Sequence, residues 1–252
     1  GRVVIVGAGP TGLGAAMALD ARGCDDFLVL DEAPGPGGLA GSVLDEAGFT
    51  WDLGGHVQFS HYETYDRVLD RALGDQWLTH ERTATVRVRG VEVPYPFQHH
   101  LDALPEPERA WALATLASAT RQPADDSFAS WSIATFGEGI CSLFLTPYNR
   151  KVWQHPLEDM STAWMGERVA RPRHAGGGAS RALGGWGPNA TFRYPRRDGS
   201  GAVWKALARM LPPESIRYED GVVRQDADRR IAHTVKGRKY RFVSRQDMLV
   251  QA

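Results

Sequence analysis

The first 31 residues contain two apolar runs, which are separated by a glycine-rich turn and a stretch of small residues. Val3–Val6 and Phe27–Leu30 are short aliphatic runs, typical of buried parallel strands. Between them, small residues from Leu13 to Ala21 recur as in a helix that packs closely on a sheet. The pattern therefore predicts a βαβ unit whose second strand is closed by Asp31.

The rest of the chain is patterned mainly for helices, and no segment repeats. Three stretches have helical spacing: 62–73, 104–120 and 200–211. Two serines are expected to cap helices: Ser127 and Ser161. Residues 83–94 alternate around Arg89-Gly90, which predicts a hairpin, and residues 215–243 are predicted to form short strands that return to the sheet.

This order of elements predicts an α/β protein with a Rossmann-type domain that is interrupted by an inserted, mostly helical domain and carries an additional β-sheet region. We assign residues 1–60 and 190–252 to the Rossmann-type domain and residues 61–189 to the insertion. Residues 171–189 contain six glycines and lack apolar periodicity, so we expect an exposed, mobile loop there.

Composition narrows the class of protein. With 42% hydrophobic and 23% charged residues in a chain of 252, the protein is expected to be globular. Two cysteines exclude a disulfide framework and favour a reducing, cytoplasmic compartment. No apolar run approaches the roughly 20 residues that a membrane helix needs, so we expect no membrane span.

The net charge of −1 conceals two oppositely charged halves. Residues 1–126 carry 9 basic and 19 acidic side chains, whereas residues 127–252 carry 20 and 11. Residues 168–197 contain seven arginines and no acidic residue. Such a segment suits an anionic ligand such as a phosphate, and it is equally compatible with a solvated surface balanced by the other half.

The turn after the first strand has the spacing of a dinucleotide-binding motif. Gly7 permits a tight turn, Gly9 lets the backbone approach a pyrophosphate, and Gly12 allows close helix–strand packing. The helix N-terminus offers free N–H groups to the phosphates. Asp31 follows Gly12 by 19 residues, and at a strand end it can accept hydrogen bonds from ribose hydroxyls.

Two later glycine pairs offer further places for backbone to approach the same cofactor. Gly37-Gly38 lies six residues beyond Asp31, and Gly54-Gly55 lies in the segment 51–56. Repeated close approaches suit a long, buried and permanently held cofactor, which favours FAD over NAD. Gly54-Gly55 alone is equally well explained as a bulge or turn.

Longer stretches of the sequence carry a family resemblance. The N-terminal unit resembles the amine-oxidase-like FAD superfamily, and nearly the whole chain resembles the UDP-galactopyranose mutases. The stretches that carry the resemblance are 51–62 (WDLGGHVQFSHY), 93–98 (VPYPFQ), 147–153 (PYNRKVW), 163–170 (AWMGERVA) and 185–192 (GWGPNATF).

The resemblance implies an isomerase that interconverts UDP-galactopyranose and UDP-galactofuranose, a sugar of cell-wall glycans, with no net redox change. The cofactor is FAD in its reduced form, and the route passes through an adduct of flavin N5 with the sugar. NAD(P)H is a candidate reductant, with Arg82 as a contact. Neither a Ser/His/Asp triad nor a metal site is required, and the sequence contains neither.

Residue roles follow from the matched motifs. His56 faces the flavin and Arg168 grips the diphosphate, and both are implied to be catalytic. The implied FAD-binding set is Gly7, Gly9, Pro10, Thr11, Gly12, Asp31, Gly37, Gly38, Leu39, Gly54, Gly55, His56 and Val57. The implied UDP-sugar contacts are Tyr95, Phe97, Gln98, Phe144, Asn149, Trp153, Arg168 and Asn189. Among these, Phe97 could stack on uracil and Gln98 pair with its amide edge, although aromatic residues here also suit a core.

The chain is considerably shorter than the family pattern, and it lacks the later segment that supplies a second diphosphate-binding arginine. We therefore expect an incomplete chain, with weak FAD retention and little activity if these 252 residues are all that exists. Sugar specificity and homo-oligomer formation are left open.

Three alternatives to the mutase interpretation remain at this point. One is an FAD-dependent, amine-oxidase-like oxidoreductase on the same scaffold, and another is a non-catalytic nucleotide-binding module. Nucleic-acid binding through the arginines of 168–197 is the third, and we disfavour it because no RNA- or DNA-binding motif accompanies the charge.

Overall fold

A computed structural model describes residues 1–166, 169–171 and 190–243. The strands of these residues are β1 (Val3–Val6), β2 (Phe27–Leu30), β3 (Ser42–Leu44), β4 (Thr50–Asp52), β5 (Trp77–Glu81), β6 (Thr85–Val88), β7 (Val91–Pro94), β8 (Thr191–Pro195), β9 (Ile216–Arg217), β10 (Val222–Asp226), β11 (Ile231–Thr234) and β12 (Lys239–Arg241). The α-helices are α1 (Pro10–Asp20), α2 (Glu63–Leu73), α3 (Glu106–Ala117), α4 (Phe128–Ile140), α5 (Thr146–Trp153) and α6 (Gly201–Met210).

The chain divides into two compact units. The first contains Gly1–Thr79 and Arg193–Ala252, and the second contains His80–Phe192. The first unit extends beyond the boundary that we expected at residue 60, because Leu69 and Trp77 pack into its core. The second unit therefore begins at His80, later than the insertion that we assigned from residue 61.

The first unit is built on a small parallel sheet of order β1-β2-β9. β1 and β2 pair in parallel from Val3 opposite Phe27 to Val6 opposite Leu30, with α1 connecting them. Every residue of β2 is buried, as expected for a central strand covered on both faces. The predicted βαβ unit is confirmed, and α1 begins at Pro10, three residues earlier than we predicted.

The later strands do not all return to this sheet, so that expectation is wrong in part. Of the later strands that the structure describes, only β9 joins β2, whereas β10, β11 and β12 form a separate antiparallel sheet. The chain leaves the parallel sheet at Glu219 and Asp220, whose N–H groups donate to the carbonyls of Ala33 and Asp31. Glu219 has a left-handed φ of 54°, which turns the chain away after only two residues of β9.

The second unit combines a hairpin with a helical core. β6 and β7 form the hairpin within 83–94, and α3 packs against α4. Ser127 caps α4, its Oγ accepting the N–H of Ser130 at 3.1 Å. Contrary to our expectation, Ser161 caps no helix among the described residues, and its Oγ accepts the N–H of Ala163 at 3.3 Å in a local turn.

The helical run 128–153 is the longest in the described part of the chain. It consists of α4, a π-helical segment at Cys141–Leu145 and α5. By length and composition this run could cross a membrane, but more than half of its apolar part is buried within the protein, as is usual for a core helix. This apolar helical run was not expected from the sequence, from which we expected no membrane span.

Candidate nucleotide-binding sites

In the first unit, the turn between β1 and α1 forms a close-packed glycine loop. Gly7 has a φ of 96°, a region that disfavours side chains, and Gly9 is the N-cap of α1 with Pro10 at its first position. A β-carbon at Gly12 would lie 1.9 Å from the carbonyl oxygen of Gly7, so only glycine fits. Thr11 is exposed beside them. The loop leaves the free N–H groups of α1 available to an anion.

Asp31 closes β2 beside this loop and is 9% exposed. One carboxylate oxygen accepts the backbone N–H of Ala8, and the other accepts that of Ala33 at 2.7 Å. Asp31 therefore fixes the glycine loop directly. Each oxygen retains a lone pair, so the expected contact with ribose stays a prediction.

Gly37-Gly38 lies against the glycine loop, as its predicted role requires. The N–H of Gly37 donates to the carbonyl of Ala8 at 2.9 Å, and a β-carbon on Gly38 would lie 3.6 Å from the Cα of Gly9. Both glycines have positive φ, 117° and 50°. Leu39 follows with 82% of its surface exposed, which leaves an apolar side chain free to contact a ligand.

The segment from Gly54 to Val57 forms a tight turn in the same unit. The N–H of His56 donates to the carbonyl of Gly54 at 2.9 Å, and the imidazole folds back so that a β-carbon on Gly54 would lie 2.6 Å from Cε1. Around Gly55 an added β-carbon would meet no described atom within 4 Å. The Nδ1 atom of His56 is buried without a hydrogen-bond partner among the described residues.

A carboxylate that sequence analysis missed anchors strand β4, which precedes this turn. Asp52 accepts hydrogen bonds from Ser42 Oγ at 2.6 Å, Tyr194 OH at 2.7 Å and the N–H of Ser200 at 2.9 Å. Burial works to raise the pKa of Asp52, but these hydrogen bonds outweigh it and leave the pKa below its usual value. Burial and the hydrogen bond to Asp52 raise the pKa of Tyr194 to about 12. Only its place beside Trp51 and Leu53 could have drawn attention to Asp52.

The aromatic side chains of the second unit form a stacked series. Phe97 is fully buried and stacks on Phe144 with ring centroids 5.0 Å apart, and Phe144 lies 5.0 Å from Tyr148. Phe97 thus packs in the core, and its face is not available to a base in this structure. Tyr148, which is 47% exposed, is the accessible aromatic residue of the series. Sequence analysis missed it, although it lies four residues after Phe144 on the helical run.

Gln98 carries an unsatisfied acceptor in this unit. The side chain is 6% exposed, its Nε2 donates to the carbonyl of Ala170, and its Oε1 has no hydrogen-bond partner among the described residues. Tyr95 is partly buried under the guanidinium of Arg82, which lies 5.2 Å from the ring centroid. The pKa of Tyr95 is raised, mainly by burial and to a smaller extent by Tyr148, whereas Arg82 acts to lower it.

Asn149 and Trp153 bond to each other. Asn149 is buried, donates from Nδ2 to the carbonyl of Leu145 at 2.8 Å, and accepts from Trp153 Nε1 at 3.2 Å. The Trp153 ring lies 4.9 Å from that of Trp164, with its own surface 45% exposed. Asn149 therefore orients Trp153 here. Two predicted site residues, Arg168 and Asn189, lie outside the described residues, as does the predicted loop 171–189 apart from Arg171.

Comparison with known proteins gives the glycine loop its context. Residues 5–72 match the family model of the NAD(P)-binding Rossmann-like domain. The chain carries a Rossmann-like nucleotide-binding fold. This result agrees with the predicted fold class, and the matched range contains the glycine loop, Asp31, both glycine pairs and all but the last residue of α2.

Solved structures extend the similarity to the rest of the chain. A reduced UDP-galactopyranose mutase is 39% identical with a TM-score of 0.87, over 96% of this chain and 54% of that one. A putrescine oxidase (17% identity, TM-score 0.60) matches over 92% of this chain and 54% of its own. A fatty acid isomerase from P. acnes (18%, 0.55) matches over 94% and 56%. The last two show the fold alone, and this chain spans about half the length of each structure.

Proposed function

We propose that the first unit binds FAD and that the protein interconverts UDP-galactopyranose and UDP-galactofuranose. The observation that carries this proposal is the 39% identity to a UDP-galactopyranose mutase over 96% of the chain. At this identity the two chains are expected to share site chemistry as well as fold. The putrescine oxidase match, at 17% identity, gives no comparable support for another activity.

The residues of the first unit fit the adenine-dinucleotide part of FAD. Among the described atoms, a β-carbon on Gly38 would meet only the Cα of Gly9 within 4 Å, and no side chain caps the N-terminus of α1, whose free N–H groups would bind a pyrophosphate. Gly7 and Gly12 hold the loop, and Asp31 orients it. His56 and the open backbone at Gly55 would lie beside the flavin. Reduced flavin, when bound, would supply the nucleophile for the anomeric carbon of the sugar.

The second unit offers the chemistry that a uridine nucleotide requires. The buried Oε1 of Gln98 is an acceptor that lacks a partner among the described residues, and uracil presents an N–H donor. Tyr148 and Trp153 present partly exposed aromatic surface for a base or sugar. Phe97 acts in this proposal through its packing on Phe144, and Arg168 would hold the diphosphate as a bidentate donor.

The test is turnover by the protein after reduction with dithionite under anaerobic conditions. UDP-galactofuranose is supplied, and UDP-galactopyranose is measured by ion-pair chromatography. The expected result is product formation that depends on both FAD and reduction, at a low rate if these 252 residues are all that is present. Hydrogen peroxide production from an amine, without any conversion of the UDP-sugar, would instead identify an oxidase and overturn the proposal.

A further inference from the structure

Gln58 lies two residues after His56, and its side chain is 5% exposed. A buried amide is costly unless its donor and acceptor are both satisfied. Here Nε2 donates to the backbone carbonyl of His56 at 3.2 Å, and Oε1 accepts the hydroxyl of Tyr65 on α2. Both ends of the amide are thus engaged within the first unit.

The hydrogen bonds that link Tyr65, Gln58 and His56 form a relay, and the chemistry of the groups fixes its direction. A backbone carbonyl can only accept, so the NH₂ end of the amide must face His56. The carbonyl end then faces Tyr65, whose hydroxyl must donate. Burial and the neighbouring Asp66 raise the pKa of Tyr65, with Arg193 opposing, so the hydroxyl keeps its proton at neutral pH. The order is therefore Tyr65 to Gln58 to His56.

The position of Gln58 is held independently of its side chain. Its N–H donates to the carbonyl of Arg193 at 2.9 Å, and its carbonyl accepts the N–H of Arg193 at 2.7 Å. Arg193 is itself fixed by ion pairs with Asp66 and Asp70 on α2. A substitution of the Gln58 side chain therefore removes the hydrogen bonds of its amide group and leaves the backbone pairing with Arg193 in place.

We propose that Gln58 is a positioning residue that holds the carbonyl of His56, and with it the turn Gly54–Val57, in one orientation. The N–H of His56 is already held by Gly54, so the bond from Gln58 immobilises its second polar backbone group. The proposal rests on the proposed function, in which this turn lies beside the flavin. Gln58 would thereby pre-organise backbone that contacts the cofactor.

Three variants test the relay. Gln58→Met keeps the length of the side chain and removes both hydrogen bonds, whereas Tyr65→Phe removes only the donor to Gln58. Gln58→Glu keeps the acceptor toward Tyr65 and loses the donor toward His56 whenever its carboxyl is ionised. Amide hydrogen exchange of the cofactor-free chain is measured for each, together with the dissociation constant for FAD.

Gln58→Met is expected to lower protection in the turn about 3- to 10-fold, the equivalent of one lost hydrogen bond, and to weaken FAD binding by a similar factor. Protection in β2 should not change. Gln58→Glu should regain protection as the pH falls and its carboxyl protonates. Tyr65→Phe should show a smaller loss in the same turn, and this variant decides the question if Gln58→Met does not fold.

Unchanged protection of the turn in Gln58→Met or Tyr65→Phe would overturn the role of Gln58, as would loosening spread evenly over the first unit. Failure of the unmodified chain to bind FAD would instead overturn the proposed function, because the exchange measurement does not involve the cofactor. The two failures are therefore distinguishable.

Discussion

Gly38 faces Gly9 across the glycine loop, with room for a β-carbon on Gly38 at 3.6 Å from the Cα of Gly9. Two glycine segments separated by almost 30 residues in the chain thus border the same space. Positive φ already favours glycine at Gly37 and Gly38, and the absence of side chains here also leaves the backbone of both segments open to a close ligand. This contact is the structural basis for our proposal that both segments bind one cofactor.

Gly12 and Gly14 provide a matched pair on α1. Gly12→Ala is expected to destabilise the first unit by about 1–3 kcal/mol, because its β-carbon would overlap the carbonyl of Gly7. Gly14→Ala should stabilise it by about 0.5–1 kcal/mol, since nothing lies within 4 Å and alanine favours a helix. Urea unfolding measures both changes. Equal effects of the two substitutions would contradict the packing described for the loop.

The hydrogen bond between Tyr194 and Asp52 should make the stability of the first unit depend on pH in the alkaline range. The pKa of Tyr194 is about 12 in the folded chain and about 10 when unfolded, so its stabilising effect is complete below about pH 10 and is lost between pH 10 and 12. Tyr194→Phe should lower the free energy of unfolding by about 1–2 kcal/mol at pH 7, with the deficit shrinking across that interval.

Unfolding by urea at several pH values measures this effect, with Tyr62→Phe as the control. Tyr62 is 76% exposed, so removal of its hydroxyl should leave the curve unchanged. A constant difference between Tyr194→Phe and the unmodified chain from pH 7 to 12 would show that the hydroxyl does not interact with Asp52.

Gly137 permits the kink within α4, at φ 74° and ψ 165°. A β-carbon there would lie 2.3 Å from the carbonyl oxygen of Thr115 on α3. Gly137→Ala is therefore expected to destabilise the second unit by about 3 kcal/mol or more, from strain and overlap together. Gly35→Ala, where space is open, is the control for thermal unfolding. A melting temperature unchanged by Gly137→Ala would rule out this contact between α3 and α4.

Local elements were predictable where one short-range pattern determines them. The βαβ unit follows from two apolar runs and a glycine turn, and Ser127 follows from its capping chemistry. Ser161 shows the limit of this reasoning, because the same side chain closes a turn as readily as it caps a helix.

Long-range contacts decided the features that the sequence did not predict. The bonds of Asp52 to Tyr194 and Ser200 join residues about 140 positions apart, and Gln58 meets Arg193 across a similar distance. Phe97 was expected at a ligand, but its burial depends on Phe144, which no local pattern relates to it. The resemblance identified the segments and could not assign side chains to core or surface.

Removal of the side-chain acceptor of Gln98 is expected to weaken the binding of UDP. Gln98→Leu removes the unsatisfied Oε1 acceptor, and the affinity for UDP is expected to fall about tenfold, as for one hydrogen bond. Gln122→Leu, on an exposed loop, is the control. Isothermal titration with UDP measures both, after circular dichroism has shown that each variant is folded. UDP affinity that is unaffected by Gln98→Leu would remove Gln98 from the proposed site.

The most direct test of FAD binding at the two glycine segments is titration of the chain with FAD, monitored by the quenching of flavin fluorescence. Gly38→Ala places a methyl group between the two glycine segments, whereas Gly48→Ala introduces a similar positive-φ strain where nothing lies within 4 Å. Saturable binding is expected for the unmodified chain and Gly48→Ala, and an affinity about tenfold weaker is expected for Gly38→Ala. No saturable binding, or equal affinity for all three folded proteins, would contradict FAD binding at these segments.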